Sequence, residues 1–254
     1  MNLFRSLAIL IFTATFVTAE ERINFILSSA QAEQIGQRIW ENECKGKIEQ
    51  LTWWNDGEEF ASMGINHFIW YPEEKRGPFE ETFPSLLGYM QKFGIVVPPW
   101  LNNHPPCPWT TRKDFMNDFE TKKMVDLRKF LFRTKTIQVQ FMANRLQETL
   151  GKLLEKEHVK KQFLRVMKCK KGGYILLDYY NFKGAGTSPT ERYNELGWGL
   201  LQVLEEMQDN DNAADFEFVR AARKVLQRRV ANAPPERNEE RWLNGWLNRI
   251  KSYE

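Results

Sequence analysis

The chain is poor in the residues that build metal sites and disulfide frameworks. Among 254 residues there are three histidines and three cysteines. His67, His104 and His158 are scattered, and no His, Cys and Asp group has metal-ligand spacing, so neither a metal nor a cofactor is expected. Cys44, Cys107 and Cys169 form an odd set, which leaves at least one thiol free or intermolecular. Cys44 itself reads as a small buried hydrophobe on the inner face of a helix. An excess of one charge sign is also lacking. With 36 Lys and Arg against 33 Asp and Glu the net charge is +3, which does not favour nucleic acid as a partner. The stretch from Lys122 to Lys171 is locally basic and reads as the solvated face of amphipathic helices, with weak steering of anionic wall polymers as the alternative. Nothing repeats at a fixed period, and no segment is low in complexity.

No hydrophobic run is long enough to span a bilayer comfortably. The longest, Leu7 to Phe16, follows Arg5 and precedes the small-residue sequence Val17-Thr18-Ala19. That order predicts a signal peptide over residues 1–19, export to the periplasm or the medium, and no stable membrane span once it is removed. No cysteine follows the expected cleavage point, so a lipid anchor is not indicated.

Beyond Glu20 the pattern is that of an α+β chain, mostly helical, with one small sheet near its start. Ser28-Ser29 open a helix in which Ala30, Ile35, Ile39 and Trp40 recur at helical spacing, and Gly46 ends it. Asn55-Asp56-Gly57 between apolar runs predicts a hairpin beside that helix. Prolines and aromatics dominate from Pro72 to Pro108, interrupted by a helix over about 83–93. Helical spacing holds from Arg112 to Met167 and is broken by Gly172-Gly173. A buried helix is expected from Tyr174 to Phe182, a loop over 183–189, and helices over 190–208, 214–231 and 239–253.

The chemistry concentrates in the first third. Glu43 ends the first helix, Asp56 sits in the hairpin turn, and Ser62 follows after five intervening residues, just before Met63-Gly64-Ile65-Asn66-His67. Two carboxylates and a hydroxyl around an aromatic turn can protonate a glycosidic oxygen while holding a water on the opposite face of the sugar. An acid at Glu43 calls for a carboxyl kept protonated, which burial against Trp53, Trp54 or Phe60 would favour. A helix-terminal glutamate in an ion pair with a later arginine is the plainer reading. Asp56 is equally an ordinary turn aspartate before glycine, and Ser62 an ordinary strand serine. Trp53, Trp54 and Trp70 are candidate sugar-stacking faces and, where they alternate, candidate core. His67 is a candidate substrate contact. Glu80 and Glu81 are rival acids that otherwise read as surface charge.

These residues resemble the phage-type lysozymes (endolysins). Their pattern is a helix ending in Glu, a hairpin bearing Asp, a Thr after five further residues, and Gly-Ile-Gly-His. Here the series is Glu43, Asp56, Ser62 and Gly64-Ile65-Asn66-His67. Two later stretches are similar in the same order. Tyr174-Ile175-Leu176-Leu177-Asp178-Tyr179-Tyr180-Asn181-Phe182-Lys183-Gly184 resembles the buried second-lobe helix and its glycine loop. Pro235-Glu236-Arg237, running to Arg241, Trp242 and Trp246, resembles the start of the closing helix. The chain departs from the family in a longer Glu43–Asp56 segment, serine for threonine, Asn66 for glycine, and a much longer section between residues 72 and 171.

The resemblance implies a two-lobed fold over residues 20–254, with a small lobe at about 27–100 and an enlarged helical lobe at about 110–254. It implies a muramidase-like glycosidase with Glu43 as acid, and Asp56 and Ser62 holding the water. It further implies Lys183, Gly184 and Thr187 on the far wall of the cleft. Peptidoglycan is the implied partner, and another amino-sugar polymer such as chitosan fits the same carboxylates. Direct attack by water implies inversion at the anomeric carbon. The alternatives are a lysozyme-like scaffold that binds wall glycan or protein without cutting it, and an exported helical adaptor. The sequence leaves the oligomeric state open.

Overall fold

A computed structural model describes residues 23–254 except Pro78, so the expected signal peptide lies outside the described residues. The chain folds around one continuous hydrophobic core that reaches from Phe25 to Tyr253. It is α+β, with helices and two small antiparallel sheets among the described residues.

Helix α1 (Ser29–Cys44) starts at a reciprocal cap. The Ser28 hydroxyl accepts the Gln31 N–H at 3.2 Å, and the Gln31 side chain accepts the Ser28 N–H at 2.9 Å. It ends where Lys45 and Gly46 turn left-handed, at φ 52° and 65°. Strands β1 (Thr52–Trp53), β2 (Ala61–Met63) and β3 (Phe68–Trp70) follow as an antiparallel sheet with β2 in the centre. Trp53 lies opposite Ser62, and Ser62 opposite Ile69. The Asn55-Asp56-Gly57 signal marks a turn at the tip of a wider loop, not a tight hairpin. Gly57 has φ 80°, and the Glu58 N–H reaches the Asn55 carbonyl at 3.4 Å.

The proline- and aromatic-rich section supports β3 from below and contains α2 (Phe83–Lys92). Trp70 is its keystone: fully buried, it meets the rings of Phe83, Trp100 and Trp109 at 4.8, 6.1 and 6.0 Å, and its indole N–H donates to the Pro105 carbonyl at 2.9 Å. The helical body follows as α3 (Arg112–Asn117), α4 (Lys122–Arg133), α5 (Lys135–Leu153), α6 (Glu157–Met167) and α7 (Gly172–Lys183). Helix α7 is the axis of this body, with Tyr174, Ile175, Leu176, Leu177 and Tyr179 all buried, and it packs against α1, α5 and α6. Helix α1, grouped on sequence with the small lobe, lies along α5 and also touches α7.

Two expectations need correction. Gly172-Gly173 do not break the helical run; they form the first turn of α7, and the break falls at 168–171. A Cβ on Gly172 would lie 2.0 Å from the Val166 carbonyl oxygen, so the glycine permits a close approach between α6 and α7. The expected helix over 190–208 begins only at Leu200. Residues before it form a second hairpin of β4 (Arg192–Tyr193) and β5 (Leu196–Gly197), followed by α8 (Leu200–Glu206). Asn194 and Glu195 take φ 48° and 65°, the two left-handed positions of a two-residue hairpin turn. Helices α9 (Ala214–Asn232) and α10 (Glu240–Lys251) complete the chain. Among the described residues no helix is long and apolar enough to cross a membrane.

Two predictions follow from the packing. All three cysteines are free. Burial pushes the Cys44 and Cys107 thiols up to about 12, while Cys169 is only partly buried. Ellman's reagent should therefore label Cys169 alone in the native protein and all three thiols after denaturation. The second concerns Asp178 on α7, which is 1% exposed and receives Arg249 of α10 through two hydrogen bonds of 2.9 Å. Asp178→Asn should cost about 3–5 kcal/mol in urea denaturation, because it leaves a buried guanidinium without its main counter-charge.

Candidate active site

Glu43 lies in the last turn of α1, with 22% of its side chain exposed, and forms an ion pair with Arg249 Nη1. The same guanidinium donates from Nε and Nη2 to Asp178, and stacks over Phe182 at 4.4 Å. Tyr253 adds a hydroxyl donor to Asp178 at 2.5 Å. One arginine thus joins α1, α7 and α10, and the two carboxylates hold it charged, well above its ordinary range, against the cost of burial. The plainer reading of Glu43, an ion pair with a later arginine, describes its contacts. It leaves room for acid chemistry, because 22% of the side chain stays exposed and two of the guanidinium's donor sites are spent on Asp178.

His67 stands beside Glu43. Its backbone is left-handed, at φ 51°. Burial lowers its proton affinity, opposed by the Glu43 charge, a hydrogen bond to the Glu43 backbone and the charge of Glu58, and assisted by nearby Arg249. The turn that carries His67 is fixed from beneath by Gln138 of α5. Gln138 is fully buried; its Oε1 accepts the Ile65 N–H at 2.9 Å and its Nε2 donates to the Leu131 carbonyl at 2.7 Å. Gly64, at φ 75°, leaves room for it, since a Cβ there would lie 2.3 Å from Gln138 Oε1. The Gly-Ile-x-His series is therefore a docking turn whose shape follows from one buried amide.

Other candidates lie where the chemistry is less direct. Asp56 is exposed at the turn, its carboxylate in no hydrogen bond or ion pair among the described residues. Glu58, not singled out on sequence, is the hairpin carboxylate whose charge reaches His67, and it is held by the Asn55 amide at 3.0 Å. Ser62 is 4% exposed at the centre of the sheet. Trp54 and Trp70 are 1% and 0% exposed and belong to the core, so neither presents a face to sugar. Trp53 is half-buried against Phe119, with ring centroids 6.3 Å apart, and its N–H is taken by Asn55 at 3.0 Å. Glu81 accepts the Tyr71 N–H at 2.8 Å, and Glu80 pairs with Arg145, so both rival acids have structural partners.

A cavity of about 220 Å³ opens beside this cluster. Asn66, Phe68 and Thr82 line one side; Met142, Arg145, Tyr180, Asn181, Gly184 and Ala185 line the other. Asn66 and Asn181 meet across it at 3.3 Å. Gly184, at φ 78°, lines this cavity, and Thr187 is not among the residues that line it. Lys183 also departs from the expected position on the wall. It is 8% exposed, with Nζ 3.4 Å from the Trp246 ring centre and 4.0 Å from that of Phe182. Burial, Arg229 and Arg249 push its amine down to about 6, with Glu239 opposing them. The sequence signal for the Arg249 centre was Asp178 itself, an ionisable residue in the apolar run Ile175-Leu176-Leu177-Asp178-Tyr179 that demanded a cation from elsewhere. Among the described residues no group of three or more His, Cys, Asp or Glu side chains could hold a metal ion.

In comparisons with protein-family models, curated proteins and solved structures, nothing matches this chain.

The buried lysine gives a pH test. In the folded state its amine binds a proton only below about 6, against the ordinary 10.5, so unfolding takes up a proton between those values. Stability on this account rises with pH across that window and levels off below it. Lys183→Met should raise stability at pH 7 by about 2–4 kcal/mol and flatten the rise between pH 7 and 10, read by thermal denaturation at several pH values.

Proposed function

We propose that the protein is a glycoside hydrolase acting on the glycan strands of peptidoglycan, with Glu43 as the general acid. The observation that carries this reading is the junction of Glu43 with the docking turn. The partly exposed carboxylate at the end of α1 stands beside His67, and the residue before His67 in sequence, Asn66, lines the cavity together with Asn181 and Arg145. A sugar bound across Asn66, Asn181 and Gly184 would bring a glycosidic oxygen toward that carboxylate. The motif order Glu43, Asp56, Ser62, Gly64, Ile65, His67 supports the same reading.

Arg249 positions the proposed acid. Shared between Asp178 and Glu43, its guanidinium holds the Glu43 carboxylate in place at the end of α1. The second carboxylate is Asp56 by motif order. A second assignment, Glu58, is favoured by its charge reaching His67 when Asp56 makes no such contact. A scaffold that binds wall glycan without cutting it shares every one of these contacts and differs only in turnover.

Digestion of purified peptidoglycan by the chain from Glu20 onward, with fragments read by mass spectrometry, separates these readings. Fragments with reducing muramic acid ends are expected, and Glu43→Gln should reduce their rate at least about a hundredfold. Equal loss in Asp56→Asn with little change in Glu58→Gln assigns the second carboxylate to Asp56, and the reverse assigns Glu58. Inverted anomeric configuration in the first product is the outcome for direct attack by water. Glycan binding with no fragments from the wild type would overturn the enzyme reading in favour of the binding scaffold.

A further inference from the structure

The cavity beside Asn66 does not end at Arg145. A second hollow of about 440 Å³, lined by Glu80, Ser85, Tyr89, Asn144, Glu148 and other residues of α2 and α5, shares Arg145 and Tyr180 with it. Arg145 and Tyr180 thus border both hollows, which lie side by side along α5. Arg145 is the fixed cation at the junction. Only 26% of its side chain is exposed, its guanidinium lies 5.9 Å from the Phe141 ring centre, and its carbonyl accepts the Tyr180 hydroxyl at 3.4 Å.

Its counter-ion is of a different kind. Glu80 binds both terminal nitrogens, at 3.1 and 2.6 Å, but it is 69% exposed and comes from the stretch between β3 and α2, outside any helix or strand. Two other charged groups line the hollow. Glu148 is bonded to the Asn144 amide at 2.7 Å, and Lys92 lies on α2. A two-pronged pair with such an exposed carboxylate contributes little to stability, and an incoming carboxylate loses little in displacing it. The guanidinium, set in α5 over an aromatic ring, is already oriented for any planar anion.

Resting on the glycosidase reading, the geometry points to Arg145 as the receptor for a carboxylate borne by the bound glycan. Glu80 occupies that place in the free protein as an internal stand-in. The ligand is an anionic amino-sugar chain, its carboxylate either a free lactyl group or one on an attached peptide. A neutral amino-sugar polymer binds beside Arg145 without this contact. Arg145 is thereby a specificity-determining residue, set apart from the Glu43 centre.

Calorimetric titration with three probes tests this assignment: the neutral, fully N-acetylated chitotetraose, a peptide-free tetrasaccharide of alternating N-acetylglucosamine and N-acetylmuramic acid, and the same tetrasaccharide carrying dipeptide stems. Arg145→Gln should weaken at least one anionic probe by about tenfold or more and leave chitotetraose unchanged. Glu80→Gln, at an exposed site, should strengthen that same probe several-fold, a gain that a merely damaged fold cannot produce. Which anionic probe responds identifies the source of the carboxylate. If the wild type binds the probes but neither substitution separates anionic from neutral ones, Arg145 is not the receptor while the glycan reading stands. If the wild type binds none of the three, the glycan reading falls and takes this assignment with it.

Discussion

The Arg249 guanidinium is the contact on which the other parts converge. Its three nitrogens tie the end of α1 to the middle of α7 and to α10, and its flat face lies on Phe182. Asp178 sits in a helix whose other neighbours are apolar and buried, so without a cation it would be an uncompensated charge in the core. Holding Arg249 there fixes where α10 docks. It also fixes Glu43, since the third nitrogen reaches a carboxylate at the one place where α1 stops. The proposed acid is thus part of the staple that joins the helices, and its position is as rigid as the fold.

A second constraint sets the opposite side of the site. Gln138, buried in α5, uses its carbonyl on Ile65 and its amide on Leu131, leaving the docking turn little freedom. Gly64 is required because any side chain there would occupy the space of that carbonyl. His67 then arrives beside Glu43 in a left-handed backbone that a β-branched residue would resist. The sheet is small, at two or three residues per strand, and would not be stable alone. Trp70 and its three aromatic neighbours, drawn from the proline-rich section, give it a floor. That section is a structural part of the small sheet, and at the same time the outer wall of the hollow beside Arg145.

The parts legible in the sequence are those written in local chemistry. The Ser28 cap, the Gly46 stop, the turn at Asp56-Gly57 and the buried run of α7 each follow from a few adjacent residues, and each is where local rules put it. The errors came where a local rule met a tertiary demand. Gly172-Gly173 read as a breaker, yet two helices approaching within contact of the backbone need glycine inside the first turn. Residues 190–197 were expected to be helical, yet Asn194 and Glu195 adopt the left-handed conformation of a hairpin turn without being glycine. Motif order pointed to Glu43, Gly64 and His67, which the fold brings together, but not to Arg249 or Arg145. Both pair with carboxylates far away in sequence, Asp178 and Glu43 for Arg249 and Glu80 for Arg145, and nothing within a few residues of either announces its partner.

Lys183 shows what the same packing does to a group that has no staple. It lies close to Asp178 in sequence and under the same aromatic residues, Phe182 and Trp246, yet no carboxylate forms an ion pair with it among the described residues. Arg229 and Arg249 take the nearby carboxylates Glu239 and Asp178. Two arginines with planar, multiply bonded contacts outcompete one ammonium for the anions, and the ammonium answers by giving up its proton. The neutral amine then behaves as an amphipathic filler over two rings. Charge in this region is therefore sorted by geometry: guanidinium where three helices must be joined, neutral amine where only packing is needed, and a partly exposed carboxylate, Glu43, at the end of α1.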